Sequence, residues 1–145
     1  MDAYTMKSDP TRLAQRKRPA FREAARKWQQ GIDPISGFKL GKNPVIDHCH
    51  ETGYCRAVLN QNTNIFEGKL NQTLSLSELQ RHEWTAALFN RDARIIDEVT
   101  TLIYESWPNQ ANPFFVWEII KRMGVYYSAV WAEMGHIKYE IPKCL

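Results

Sequence analysis

The sequence predicts a mostly α-helical fold that contains one small β-hairpin. Two short apolar runs flank a turn segment at residues 51–53, and apolar residues downstream recur at intervals of three and four. The first pattern is typical of paired strands, and the second is typical of helices buried on one face. A chain of 145 residues can bury one ordinary core. It has no apolar run of about 18 residues, so no membrane span is expected.

The first predicted element is a basic amphipathic helix. Pro19 is expected to start a new helix or to kink the first one. The basic residues of this stretch are Arg12, Arg16, Lys17, Arg18, Arg22, Arg26 and Lys27, opposed only by Glu23. The apolar positions that would pack on a core are Leu13, Phe21, Ala25 and Trp28.

The hairpin is predicted from the apolar runs at 45–46 and 57–59. Adjacent residues of a strand point to opposite faces. Asp47 and His48 can therefore share a side only if the end of the strand is distorted, whereas His48 and His50 can share a face.

The polar stretch 60–64 opens the next predicted helix. Asn64 and Glu67 lie at i and i+3, which places them on one face of that helix. A hairpin followed by this helix would bring Asp47, His48, Asn64 and Glu67 to a common point.

Further helices are predicted downstream. Their apolar positions are Leu74, Leu76, Leu79, Trp84, Leu88 and Phe89, then Ile95, Ile96, Val99, Leu102, Ile103 and Trp107. Ser75 or Ser77 is the predicted N-cap, and Pro108 ends the run. A last helix is expected over 113–134, with Gly135 ending it and a short extended tail at 137–141.

The side chains expected at the common point are those that phosphodiester hydrolysis with one hard metal ion requires. The Asp47 carboxylate and the Asn64 amide oxygen are hard ligands suited to Mg²⁺ or Mn²⁺. An imidazole such as that of His48 can take a proton from the attacking water, while the metal stabilises charge on the phosphate. The sequence therefore predicts a small metal-dependent nuclease site.

The same residues carry a family resemblance. The motif is Asp47-His48-x-His50-Glu51-Thr52-Gly53-x-x-Arg56-x-x-Leu59, with Asn64 and Glu67-Gly68 behind it. It resembles the recombination endonuclease VII family of phage Holliday-junction resolvases, and the likeness continues weakly through about residue 117. The resemblance implies an HNH-like His-Me finger (ββα-metal) core flanked by long helices.

The resemblance also implies roles for individual residues. His48 would be the general base, with His50 and Glu67 in supporting catalytic roles near the scissile phosphate. Asp47 and Asn64 would hold the metal ion.

The sequence departs from this family where its members carry two Cys-x-x-Cys pairs that bind a structural zinc. The matching positions are Asp33 and Ser36, then Asn60 and Thr63. No sulfur ligand remains at these positions, so we expect no structural zinc. A polar network or simple packing is expected there instead, and a larger apolar core or a partner chain would supply the stabilisation that the zinc provides.

The three cysteines indicate neither a zinc site nor a disulfide scaffold. Cys49 and Cys55 flank His50 at a spacing that matches no familiar tetrahedral pattern, and Cys144 is far away. With no apolar leader, we interpret them as reduced, partly buried cysteines of an intracellular protein. The expected location is the cytoplasm, that of the host cell if the chain is phage-encoded.

The net charge of +3 is unevenly distributed along the chain. Residues 1–72 carry 12 Lys and Arg against 7 Asp and Glu, and residues 73–145 carry 7 against 9. We assign phosphate contacts to Arg12, Arg16, Arg22, Arg26 and Lys27, with a solvated helix face as the alternative. Arg56 is assigned a phosphate contact through its planar fork, with a solvated strand-end charge as the alternative.

The many apolar residues of the later helices favour a homodimer. In the resembled family the corresponding helices intertwine two subunits, and symmetric cutting of a junction requires two active sites. We expect residues 1–72 to form the basic helix and nuclease core, and residues 73–145 to form a helical region for dimerisation and substrate binding. A monomeric helical bundle is the alternative.

Three functions stay open at this point. The first is a metal-dependent DNA endonuclease that resolves branched DNA such as Holliday junctions. The second is a nicking or nonspecific DNase that uses the same site on duplex DNA. The third is a catalytically inactive DNA-binding or interaction protein on a nuclease scaffold.

Overall fold

The computed structural model describes residues 18–48, 55–75, 84 and 93–137. In chain order, the elements named within these residues are helix α1 (Arg18–Trp28), strand β1 (Val45–His48), strand β2 (Cys55–Leu59), helix α2 (Gln61–Leu74), helix α3 (Ala93–Ser106) and helix α4 (Pro113–Ile137). The two strands form an antiparallel sheet. The predicted mostly helical fold with one hairpin is therefore confirmed. None of the described helices combines the length and the apolar character needed to cross a membrane.

The hairpin is irregular beside Asp47. Ile46 pairs with Val58 and His48 pairs with Cys55, so two steps along β1 correspond to three steps along β2. One residue of β1 therefore faces two residues of β2, as in a β-bulge. Such a bulge interrupts the alternation of side chains between the two faces of a strand.

The bulge turns Arg56 towards the side of the sheet that carries Asp47. Cys55 and Val58 both belong to a small apolar cluster against α1, whereas Ala57 belongs to the larger core on the other face. Arg56 lies on the same face of the sheet as Ala57, and its side chain reaches the Asp47 carboxylate. Regular alternation would have placed Arg56 on the face of α1 instead.

Two apolar clusters cover the two faces of the hairpin. The smaller one joins α1 to the sheet and consists of Phe21, Ala25, Leu40, Cys55 and Val58. The larger core contains Ile35, Ala57, Leu59, Phe66, Leu70, Trp84, Val99, Ile103, Trp107, Val116, Ile119, Ile120, Met123, Tyr126 and Tyr127. This core draws residues from both sides of the boundary predicted at 72/73.

Cys55 agrees with the expectation of a reduced, buried cysteine. Its thiol is free and is buried in the smaller cluster. Burial raises the pKa of this thiol to about 11, so it stays protonated near neutral pH. Cys49 and Cys144 lie outside the described residues.

Two helix boundaries differ from the prediction. The predicted N-cap is Ser75 or Ser77, and Ser77 lies outside the described residues. Ser75 ends α2 in a left-handed conformation (φ 50°), and its amide donates to the Asn71 carbonyl at 2.8 Å. That bond satisfies a carbonyl of the last helical turn. Helix α4 continues through Gly135 to Ile137. It can do so because glycine inside a helix costs only about 1 kcal/mol relative to alanine.

Candidate nuclease site

The positions of the family's cysteines are linked by hydrogen bonds. Asp33 is fully buried, and its Oδ1 accepts from the amides of Ile35 and Ser36 at 2.9 Å each. Its Oδ2 accepts from the Asn60 amide at 2.8 Å, which joins the first pair of positions to the second. The Asn60 side chain in turn accepts from the Gly41 amide at 2.8 Å. Asp33 and Asn60 thus form a polar network, which is one of the two arrangements expected in this region.

Thr63, the fourth of these positions, behaves differently. Its side chain is fully buried, and its hydroxyl has no hydrogen-bond partner among the described residues. Thr63 therefore contributes packing at the start of α2, while Asp33 and Asn60 supply the polar link.

Arg56 lies at the centre of a second buried polar cluster. Its Nε is 3.0 Å from Asp47 Oδ2, and its Nη2 is 3.4 Å from Glu67 Oε1. Nη2 also donates to the His48 carbonyl at 2.6 Å. The three charged residues are only 1–3% exposed. The guanidinium thus joins the hairpin to α2 in a place that bulk water does not reach.

Two adjacent tyrosines of α4 complete the cluster. The Tyr126 hydroxyl donates to Asp47 Oδ2 at 2.6 Å, and the Tyr127 hydroxyl donates to Glu67 Oε1 at 3.1 Å. The guanidinium carbon of Arg56 is 5.7 Å from the centre of the Tyr127 ring, within the range of a cation–π contact. The cluster therefore takes side chains from both strands, from α2 and from α4.

Burial and charge act against each other in this cluster. Burial raises the pKa of Asp47 to about 6, although the neighbouring Arg56 charge lowers it. Burial also lowers the pKa of Arg56, but Asp47 and Glu67 together hold it well above its usual value. For Tyr126, burial and the Asp47 charge raise the pKa well above the ordinary range. When both carboxylates are ionised, the cluster carries more negative than positive charge.

The position of Arg56 corrects its predicted role. A phosphate contact and a solvated strand-end charge both require the guanidinium to be at the surface, but Arg56 is 3% exposed. The bulge in β2 turns the side chain inward, where two carboxylates compensate its charge. In this structure Arg56 is a buried counter-ion for Asp47 and Glu67.

The other predicted site residues are distributed around this cluster. Asp47 and Glu67 are brought together through Arg56, as expected for a common point. His48 ends β1 and is half-buried, and Asn64 lies in the first turn of α2 and is half-buried as well. That the side chains of His48 and Asn64 join the two carboxylates stays a prediction. Over the described part of the chain, no group of three or more His, Cys, Asp or Glu side chains is arranged to hold a metal.

Helix α1 carries the described part of the basic segment. The Nη2 group of Arg26 donates to the carbonyls of residues 41 and 42 at 2.6 and 3.2 Å, so this side chain holds the adjacent loop. Lys27 is exposed and Arg22 is half-buried. The predicted site residues that lie outside the described ranges are Arg12, Arg16 and His50.

No functional role is predicted for Tyr126 and Tyr127 from the sequence. Tyr126 is 79 residues from Asp47 along the chain, and Tyr127 is 60 residues from Glu67. Their spacing is that of core residues, which is where they lie. The available signal was their chemistry, because a buried tyrosine hydroxyl usually finds a hydrogen-bond partner.

Comparison with known families gives a match over part of the chain. The family model for recombination endonuclease VII matches residues 35–88. The matched segment contains the hairpin and α2, but it ends before α3 and α4, so the weaker likeness through about residue 117 lies beyond it. No curated protein and no solved structure matches the chain. Over its residues 35–88, the chain is similar to the recombination endonuclease VII family.

Proposed function

We propose that this protein is a metal-dependent DNA endonuclease that hydrolyses phosphodiester bonds in branched DNA such as Holliday junctions. The match of residues 35–88 to the recombination endonuclease VII family supports a nuclease that acts on branched DNA. The observation that carries the proposal lies inside the matched segment, where Asp47 of the hairpin and Glu67 of α2 meet across Arg56. These are the two elements to which the family resemblance assigns the nuclease site.

We propose Mg²⁺ or Mn²⁺ as the cofactor of this nuclease, and Asp47 and Asn64 would hold the ion. A carboxylate and an amide oxygen are donors that hard divalent cations prefer. The charge of the cluster also favours a cation, because two carboxylates face one guanidinium. When bound, the ion would act as a Lewis acid that stabilises charge on the phosphate and on the leaving oxygen.

We propose that His48 is the general base of the hydrolysis. Its main-chain carbonyl accepts from Arg56 at 2.6 Å, which holds the end of β1 in place. An imidazole titrates near neutrality and can accept a proton from the attacking water. Glu67 and His50 keep supporting roles, and Glu67 supports the site in this structure by sharing Arg56 with Asp47.

The DNA contacts of the proposal come from the basic N-terminal segment. Its members are Arg12, Arg16, Arg22, Arg26 and Lys27. Lys27 is exposed on α1 and available to a phosphate, whereas Arg26 would have to share its guanidinium between the loop carbonyls and DNA. Phosphate contacts of this kind make binding weaken steeply as salt rises.

The test of the activity compares a four-way junction with a matched linear duplex, each incubated with Mg²⁺, Mn²⁺ or EDTA. We expect cutting that requires the metal and strongly prefers the junction. Equal cutting of both substrates would favour the nonspecific DNase instead. DNA binding without any cutting would favour the inactive scaffold.

We also propose that the protein forms a homodimer through α4. Among residues 113–128, where the structure describes the side chains of this helix, the exposed large apolar ones are Phe114 (73%), Trp117 (46%) and Val125 (72%). At 3.6 residues per turn they lie within an arc of about 80° on one side of the helix. Apolar patches of this kind mark interaction sites. A second copy of the chain would supply the second active site that symmetric cutting requires.

Sedimentation equilibrium tests this dimer. We expect wild type to sediment as a dimer and the double substitution Phe114→Glu with Val125→Glu to sediment as a monomer. Charge introduced at both ends of the patch would have to be buried without a partner. Ile65→Glu, at an exposed position on α2, is the matched control and should leave the dimer intact. A monomeric wild type, or a dimer that survives the double substitution, would contradict this part of the proposal.

A further inference from the structure

Gly68 is a glycine that neither the backbone nor the packing of the described residues requires. It lies in the middle of α2, and its backbone does not adopt a positive φ. A Cβ atom built at this position would come within 4 Å of no atom outside its own stretch of helix, among the described residues. Glycine is one of the poorest helix formers, so alanine at this position would stabilise α2.

Gly68 lies beside two residues of the proposed nuclease site. Asn64 is one turn earlier in α2, so the two positions are only about 40° apart around the helix. Glu67 directly precedes Gly68, and its carboxylate is buried in the cluster around Arg56. A molecule that approaches α2 at Gly68 therefore lies next to the side of the helix that faces the proposed site.

The surface of α2 around Gly68 carries charge of the sign that suits DNA. Glu67 is the acidic residue of α2, and it is only 1% exposed. Lys69 is exposed and directly follows Gly68. The amide side chains of Gln61 and Gln72 are exposed as well, and both positions lie within about 40° of Gly68 around the helix. Lysine and amide side chains are common partners of DNA phosphates.

We propose that the sugar–phosphate backbone of the substrate DNA lies against α2 at Gly68, and that the absence of a side chain lets the DNA come close enough to reach the proposed site beside Asn64. The inference rests on the proposed function, because it takes DNA as the partner. Glycine is used where a ligand or another backbone approaches the main chain closely. A side chain at position 68 would hold the DNA away from α2 and displace the scissile phosphate.

The test compares Gly68→Ala and Gly68→Leu with wild type. Both substitutions should raise the melting temperature, by about 4 °C for alanine, since both residues favour a helix more than glycine does. Gly68→Leu should nevertheless lower kcat/KM for junction cleavage by about 10²-fold, and Gly68→Ala should lower it by less. Junction affinity in EDTA, measured by gel shift, should fall in the same order. A purely structural role would instead make stability and cleavage change in the same direction.

Thr73→Leu is the matched control for this series. Thr73 is exposed on α2, but it lies about 140° around the helix from Gly68. Its substitution should leave cleavage and affinity at the wild-type values. If wild type cuts junctions and Gly68→Leu cuts and binds them equally well, the inference is overturned and the nuclease stands. If wild type binds junctions without cutting them, the proposed function fails, whereas a graded loss of affinity would still support the approach of DNA to α2.

Sedimentation of Gly68→Leu distinguishes DNA from a second copy of the chain as the molecule that lies on this surface. We expect the variant to keep the oligomeric state of wild type. If a wild-type dimer dissociates in the variant, the surface is a subunit interface and the inference is overturned.

Lys69→Gln tests the same surface with Gly68 in place. The plot of the logarithm of junction affinity against the logarithm of salt concentration should become less steep by about one, the change expected for the loss of one phosphate contact. Lys121→Gln, at an exposed position on α4, is the matched control and should keep the wild-type slope. An unchanged slope for Lys69→Gln would contradict the approach of DNA to this surface.

Discussion

Replacement of His48 by alanine should reduce junction cleavage by about 10²–10⁴-fold, the range that general-base catalysis contributes. The substitution removes the group proposed to take a proton from water, while the hydrogen bond from Arg56 to the main-chain carbonyl at this position can still form. DNA binding in EDTA should therefore stay close to that of wild type. Single-turnover cleavage and a gel-shift titration on the same junction measure the two quantities.

Added imidazole provides the control for this prediction. A small base that enters the space left by His48→Ala should restore part of the cleavage if the lost group was a base. Equal losses of binding and cleavage would instead identify His48 as structural. Cleavage at the wild-type rate would remove it from the mechanism altogether.

Replacement of Arg56 by methionine should lower the free energy of unfolding by about 3–5 kcal/mol, the cost of breaking a buried ion pair from one side. Methionine fills much of the space, but it leaves Asp47 and Glu67 facing each other without their shared cation. Urea denaturation measures the loss. Arg22→Met, at a half-buried position on α1, is the matched control and should cost far less.

A triple variant identifies the origin of this cost. With Asp47→Asn and Glu67→Gln in place, Arg56→Met should be much less destabilising, because no uncompensated carboxylate remains. If the cost is the same in both backgrounds, the role of Arg56 is packing rather than charge compensation. A small cost in the wild-type background would contradict the buried counter-ion directly.

The elements of the fold that could be predicted are those whose signal lies in residues close together in the sequence. The apolar runs around the turn predicted the hairpin, and the polar stretch at 60–64 predicted the start of α2. Asp33 and Asn60 could also be recognised as polar replacements for zinc ligands, since their spacing is retained. In each case a pattern of a few residues carries the information.

The burial of Arg56 could not be predicted in this way. An arginine after a turn is usually exposed, and alternation along a regular β2 would have placed it towards α1. The bulge opposite Asp47 reverses that placement, and nothing in the apolar pattern of five strand residues reveals it. The contribution of Tyr126 was hidden for another reason, because its contact spans 79 residues of chain.

The link between Asp33 and Asn60 has a consequence for the chemistry that this protein can withstand. Peroxide attacks thiolates, and chelators unfold domains that depend on a structural metal. The link consists of hydrogen bonds between a carboxylate and main-chain amides, so neither peroxide nor a chelator reacts with it. EDTA would remove the proposed catalytic ion and leave these hydrogen bonds between the loop and the start of α2 in place. A loss of cleavage in EDTA would therefore not result from disruption of the hydrogen bonds between Asp33 and Asn60.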